Sequence, residues 1–300
     1  MTTKTKPKRS FWKSDIPFIM IMLAPTVIHL VLFWGGVQVE TLAMAFTDRK
    51  TGEFTLLGNF RFIFDALSTP DSDLSIAVRN TFLFFGVGIL LIPMTIFAAY
   101  MFYKKMAGAY FVRVILYLPG AISSMMMAFL FQQLLMPNGP IVTFLTDIGI
   151  NLPLPLNTEA PLPMIIFFDV WIGLGGGLIV WLGAMGRISE DILEYGKLDG
   201  VGPVREFVSI IVPLIWPTFI TMVTLQLIGI FGASGSVMLF TEGKYGTYTI
   251  NYWLFNVIYK NEAHLYNYSV ATGLFFTLLT LPIVVVGRIV MNKFGTAVEY

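Results

Sequence analysis

The chain has 300 residues and a formal net charge of +1; 56% of its residues are hydrophobic and only 12% are charged. A soluble domain carries about 25% charged residues, so an ordinary water-exposed fold is excluded for most of this length, and the near-neutral balance argues against broad nucleic-acid binding. Cysteine is absent and there are only two histidines, His29 and His264, far apart in sequence, which excludes disulfide scaffolds and thiolate metal sites and disfavours a histidine-rich metal site.

A basic tail, residues 1–15, precedes the first apolar run, Ile16–Val37. That run could be a signal peptide, but it is long enough to span, lacks a clear small-residue cleavage site and precedes further spans, so it reads as a retained helix. Five more stretches approach the ~20 apolar residues that cross a bilayer: Val78–Phe102, Val112–Leu135, Pro163–Leu182, Val212–Phe231 and Tyr268–Val290. Residues 16–294 are thus expected to form one membrane domain, with 295–300 as a short tail. Pro25, Pro93, Pro119 and Pro282 lie well inside their spans, where neighbouring helices can satisfy the freed carbonyls.

Several polar residues sit at or near membrane depth. Asp169 lies near the outer third of the fourth span, where a carboxylate costs ~2.5–3.5 kcal/mol and needs a cavity or a partner. Gln132, Gln133, Gln226, Ser234 and Ser236 could bond the hydroxyls of a solute or could bond helices to one another. The run Gly173-Leu-Gly-Gly-Gly177 lacks a following Lys-Ser/Thr and is no P-loop; close helix packing suits it better, with a flexible gate second. Trp171, Trp181, Trp216 and Trp253 read mainly as interfacial anchors. Thr249–Tyr259 could lie on the outer membrane surface as an amphipathic helix, or pack as a loop helix.

Basic residues set the orientation. The segments that contain both termini hold thirteen Lys and Arg against six in the alternate set, so both termini are expected to face the cytoplasm. The stretch Met136–Leu162 has no basic residue and carries Pro137-Asn138-Gly139-Pro140, which suits an external loop.

The segment between the fourth and fifth spans, residues 189–213, reads as two short helices around a tight turn. Ser189 is placed to cap the first helix, with Glu190 and Asp191 at its positive end. Asp199-Gly200 is a stop signal, and Pro203 suits the first turn of the next helix. Val204, Phe207, Val208 and Ile211 make an apolar stripe there. Such a mixed-charge cytoplasmic hairpin is a good docking element for another protein.

This segment resembles the coupling-helix signature of bacterial ABC importer permeases: Glu-Ala-Ala, two residues, Asp-Gly-Ala, then Phe, Ile and Leu-Pro at set spacings. Glu194, Asp199, Gly200, Phe207, Ile210 and Pro213 match in register, and Pro217 matches a second proline common in sugar permeases. Tyr195, Gly196 and Val201 stand where the family has alanine. Leu57-Gly-Asn-Phe60, Arg79-Asn-Thr81, Leu118-Pro119, Leu239-Phe-Thr-Glu-Gly243 and the Tyr259–Ala271 approach to the last span are similar to segments of the carbohydrate-uptake branch.

The resemblance implies an all-α membrane fold of six transmembrane helices with a cytoplasmic coupling-helix hairpin, of the type I ABC importer kind. It implies a permease subunit that forms half of a pathway for a sugar or oligosaccharide. The expected partners are a second homologous permease subunit, two ATP-binding subunits and an extracytoplasmic solute-binding protein. ATP and Mg would be held by the ATPase subunits, with no cofactor and no catalytic residue in this chain. Coupling would fall to Glu194, Gly196, Asp199, Gly200, Phe207, Ile210 and Pro213, and the pathway to some of Asp169, Gln132, Gln226, Ser234 and Ser236. Glycerol phosphate or a polyamine are alternative cargoes. A stand-alone secondary transporter is the rival class, disfavoured because the charges at membrane depth, away from the span ends, reduce to Asp169.

Overall fold

The computed structural model describes residues 16–48, 51–106, 108–150, 161–232, 235–260 and 262–294, and apart from one isolated bridge between Thr47 and Phe54 every regular element among them is helical. Helix α1 runs Ile16–Ala45, α2 Gly58–Ser68 and α3 Asp73–Tyr103. Helices α4, Ala109–Ala121, and α5, Ser124–Leu134, meet at a break with their axes bent by 110°. After α6, Pro140–Asp147, comes α7, Leu162–Met185. The hairpin is α8, Glu190–Leu198, and α9, Pro203–Leu214, which continues after a 71° bend into α10, Trp216–Ile228. Helices α11, Gly235–Phe240, α12, Ile250–Tyr259, and α13, Tyr266–Phe294, complete the order. Four helices are long and apolar enough to cross a membrane singly, and there are six spans if each bent pair counts as one. The third and fifth expected spans are therefore broken rather than straight.

Helix α7 is the axis of the bundle, and its glycines make it so. A Cβ on Gly173 would stand 2.4 Å from Leu91 of α3, and one on Gly175 would stand 2.0 Å from the carbonyl oxygen of Leu116 on α4. Removing side chains at these positions lets α7 approach both neighbours closely. Trp181 is 2% exposed and its indole N–H donates to Thr95 Oγ1 at 3.1 Å; Trp253 is also buried. Both are core residues, not interfacial anchors, because a buried N–H partner or an apolar pocket is available to them.

The two ends of the bundle are built differently. At one end the chain's amides hold turns in place. Asn59 Nδ2 donates to the carbonyls of Ala45 (2.8 Å) and Thr47 (3.0 Å), and Asn267 Nδ2 donates to Thr47 as well (2.6 Å). Asn80 Nδ2 donates to the carbonyls of Gly246 (2.8 Å) and Tyr248 (2.9 Å), while Thr81 Oγ1 accepts from the Ile250 N–H (2.9 Å). These bonds seat α12, which buries Ile250, Tyr252, Trp253, Asn256 and Val257 and is a packed helix rather than one lying free on a surface. Burial pushes the Tyr248 phenol above its usual value, with Asp73 and Glu262 adding to the effect and the amide bond from Asn256 opposing it. The ends of α3 and α7 and the hairpin lie at the opposite end, joined in a cluster of Ile96, Tyr100, Leu178, Trp181, Met185, Leu193, Ile211 and Ile215.

Candidate functional site

The hairpin turn is fixed by main-chain geometry. Gly200 has φ +67°, its N–H donates to the Lys197 carbonyl at 3.0 Å, and the Val201 N–H donates to the Gly196 carbonyl at 3.0 Å. This bond pair closes a helix on a left-handed residue and satisfies two carbonyls that α8 would otherwise leave open. The space around Gly200 is empty, so the constraint is one of backbone conformation rather than contact. Two expected side-chain caps are not made: Ser189 forms no capping bond, and the exposed Asp199 carboxylate makes no hydrogen bond among the described residues, because its neighbours' donors are already used in the turn.

Gly196 faces the second helix. A Cβ there would sit 3.0 Å from Ile210 Cδ1, so glycine in place of the family's alanine draws the arms together against a large Ile210. Phe207 packs on Tyr100 (ring centroids 4.9 Å) and edge-on to Phe97 (6.0 Å), both on α3. Pro213 lies at the start of the last turn before the bend, just after the π-helical turn Phe207–Ile211. Glu194 is exposed.

The buried stripe of α9 differs from the expected one. Phe207 and Ile211 face inward, but Val204 is 78% exposed and Val208 is 58% exposed, while Glu206 is buried at 4%. The π-helical turn fits one more residue into a turn and so shifts the face that a regular period would bury. Tyr195 and Leu198 on α8 and Val204 and Val208 on α9 stand exposed, with Leu198 the most exposed at 84%.

Glu206 is a residue that spacing alone does not reveal. Its carboxylate pairs with Lys104 Nζ, at 2.8 Å to Oε1 and 3.0 Å to Oε2, and Tyr100 donates its hydroxyl to the Pro203 carbonyl at 3.0 Å, with Glu206 Oε1 at 3.4 Å. Lys104 caps the carboxyl end of α3 and Glu206 lies in the first turn of α9, so each charge also meets the favourable end of its own helix dipole. The available sequence signal is a lone carboxylate among apolar neighbours, and in a reading by apolar period it passes as surface.

The polar pathway positions fall in two places. Ser236 donates to Asp169 Oδ2 at 2.8 Å and Gln132 Nε2 donates to the Leu239 carbonyl at 2.9 Å, so Asp169, Ser236 and Gln132 all meet α11. Gln226 is elsewhere: its amide fills the space left by Gly88 and lines a cavity of about 250 Å³ with Thr95, Gly173, Gly177 and Trp181. Ser234 lies outside the described residues.

An all-α bundle with broken spans and a hairpin closed by Asp-Gly defines a membrane transport subunit. Residues 91–299, more than two thirds of the chain, match the family described as the binding-protein-dependent transport system inner membrane component. The chain belongs to that family, and it is a multi-pass permease subunit of a binding-protein-dependent ABC importer, not an enzyme. It is similar to the sn-glycerol-3-phosphate transport system permease protein UgpA of Pectobacterium atrosepticum, 24% identical over 234 residues that cover 77% of each chain. Its fold is similar to that of a chain in the crystal structure of a bacterial ABC transporter for import of the acidic polysaccharide alginate, with TM-score 0.81, 24% identity and coverage of 95% of this chain and 99% of that one. A second structure, of a bacterial alginate ABC transporter in complex with a periplasmic protein carrying an alginate pentasaccharide, matches with TM-score 0.79, 25% identity and coverage of 92% and 95%.

Proposed function

We propose that this chain forms half of the translocation pathway for a sugar or oligosaccharide and that its hairpin is the dock for a cytoplasmic ATPase. The observation that carries the docking reading is the exposed apolar set Tyr195, Leu198, Val204 and Val208 beside a turn closed by the Gly200 and Val201 main-chain bonds. A rigid element with unpartnered apolar side chains favours association with another protein. Glu194, Asp199 and Gly200 flank that set, while Gly196, Phe207, Ile210 and Pro213 shape the hairpin beneath it. Two ATP-binding subunits would hold ATP and Mg and supply the stroke.

Orientation follows from charge at the two ends. Lys104, Lys105, Arg113, Arg187, Lys197, Arg205, Arg288 and Lys293 are at the hairpin end of the sequence's spans, against Arg61, Arg79, Lys244 and Lys260 at the other. This supports a hairpin in the cytoplasm of a bacterium, both termini on that same side of the membrane, and α12 on the outer face towards a solute-binding protein. Helix α1 has no buried residue over its most apolar stretch, which supports contact with lipid or with a second permease subunit.

The cargo reading rests on what lines the spans. Residues 80–102, 114–135, 162–186, 206–228 and 268–287 contain no Lys or Arg, so inside these limits the spans offer mainly amides, hydroxyls and the Asp169 carboxylate. Hydroxylated solutes suit such groups. Glycerol phosphate, the cargo in the name of one relative, would meet a cation only at the span ends of this subunit or in the second permease. Reconstitution with the second permease, the ATPase and the binding protein tests the reading: uptake should require ATP and the binding protein, and transport by this chain alone would overturn it.

A further inference from the structure

The hairpin is joined to the spans by two routes of different stiffness. Along the chain, α9 reaches α10 through the π-helical turn Phe207–Ile211, Pro213 and the 71° bend at Ile215. Proline removes a main-chain donor and a π turn breaks the regular ladder, so this joint is the weaker one. Across the chain, side chains tie α9 to the end of α3. Lys104 grips both oxygens of Glu206, Tyr100 bonds the Pro203 carbonyl, and the Phe207 ring packs on Tyr100. Only 6% of the Glu206 side chain and 24% of that of Lys104 are exposed, so water screens the pair little. Helix α3 is in turn locked to α7 through Leu91 against Gly173 and Thr95 against Gly177 and Trp181.

We propose that Tyr100, Lys104 and Glu206 are positioning residues that pass movement of the hairpin into α3 and, through α3, into α7, while the joint between α9 and α10 acts as a hinge. The stroke then enters the bundle beside the hairpin rather than along the peptide chain. An apolar contact would slide under such a load; a charge pair held at both oxygens fixes distance and angle. The inference rests on the reading of the hairpin as the ATPase dock.

The test uses the complete complex in proteoliposomes and measures uptake, ATP hydrolysed per solute moved, and copurification of the ATPase. Glu206→Gln and Lys104→Met should keep the ATPase bound and hydrolysing, while ATP spent per solute rises by roughly tenfold, the scale of a typical coupling energy. Lys104→Arg keeps a cation at the carboxyl end of α3 and can still hold both oxygens of Glu206, so it should keep most of the wild-type ratio that Lys104→Met loses. Tyr100→Phe removes one hydroxyl and should raise the ratio by a smaller factor, so it decides the matter if the charge variants fail to assemble. An unchanged ratio in assembled Glu206→Gln and Lys104→Met, or a ratio in Lys104→Arg as poor as in Lys104→Met, overturns the strut. Gly200→Val separates the two readings: if it abolishes coupling while the strut variants stay normal, only the strut fails, and if Gly200→Val is normal the dock itself fails.

Discussion

The two ends of this bundle hold their loops by opposite means. At the α12 end, buried amides of Asn59, Asn80 and Asn267 bond main-chain carbonyls, and the helix they seat packs its inner face into the core. At the hairpin end, an ion pair and tilted rings support a hairpin that leaves Tyr195, Leu198, Val204 and Val208 exposed among charged side chains. Amide donors inside a dry core are strong while the main-chain carbonyls they hold stay in place, so they suit a fixed shape. A surface-facing hairpin left without apolar cover suits a partner, and its charged support gives it a defined stance without sealing it into the bundle.

The largest expected effect that would sharpen this contrast lies at the amide end. Asn80→Leu strands the carbonyls of Gly246 and Tyr248, at about 1–3 kcal/mol each. The detergent-solubilised complex should melt well below wild type, with uptake and assembly lost together. A wild-type melting curve would show that the amide clamp is not what seats α12.

Gly200→Val should act in the other way. Placing a side chain at φ +67° costs roughly 1–2 kcal/mol, so the spans should insert and the protein should fold, yet ATP-driven uptake should vanish. Parallel loss of membrane insertion would contradict the division between the two ends.

Asp169→Asn probes the bundle between them. Its carboxylate already has Ser236 as donor, and an amide oxygen can accept the same bond, so assembly should stay normal while uptake changes by a few-fold if the group touches solute. Failure to assemble would make Asp169 structural, and no change in either measurement would remove it from the pathway. Smallest of all is Asp199→Asn, which should lie within about 0.5 kcal/mol of wild type in stability, because no bond of its carboxylate holds the turn. A large loss of stability would mean that the side chain, not the main chain, closes the hairpin.

Much of this architecture was legible in the residues. Apolar length exposed the spans, and Asp199-Gly200 before Pro203 exposed the hairpin, because both are local properties of the chain. The breaks at Ile122–Ser123 and Ile215 were not, since apolar composition continues through them unchanged. The buried face of α9 was misplaced because Val204, Phe207, Val208 and Ile211 follow an α-helical period and the chain adopts a π turn. Glu206 and Lys104 are 102 residues apart, and nothing in either neighbourhood announces the other. Asp169 and Ser236 were each marked as polar groups at depth, but their bond depends on where α11 folds back.

The dock is tested most directly by a single thiol. The chain has no cysteine, so Leu198→Cys places one reactive group at the most exposed apolar position of the hairpin, where it supports no core contact. In the assembled importer a short crosslinker with a maleimide at one end and a photoreactive group at the other should join this 33.6-kDa chain to an ATPase subunit, and the ATPase should shield the thiol from a soluble maleimide. Labelling that is equally fast with and without the ATPase, together with crosslinks only to the second permease or to none, would contradict the account.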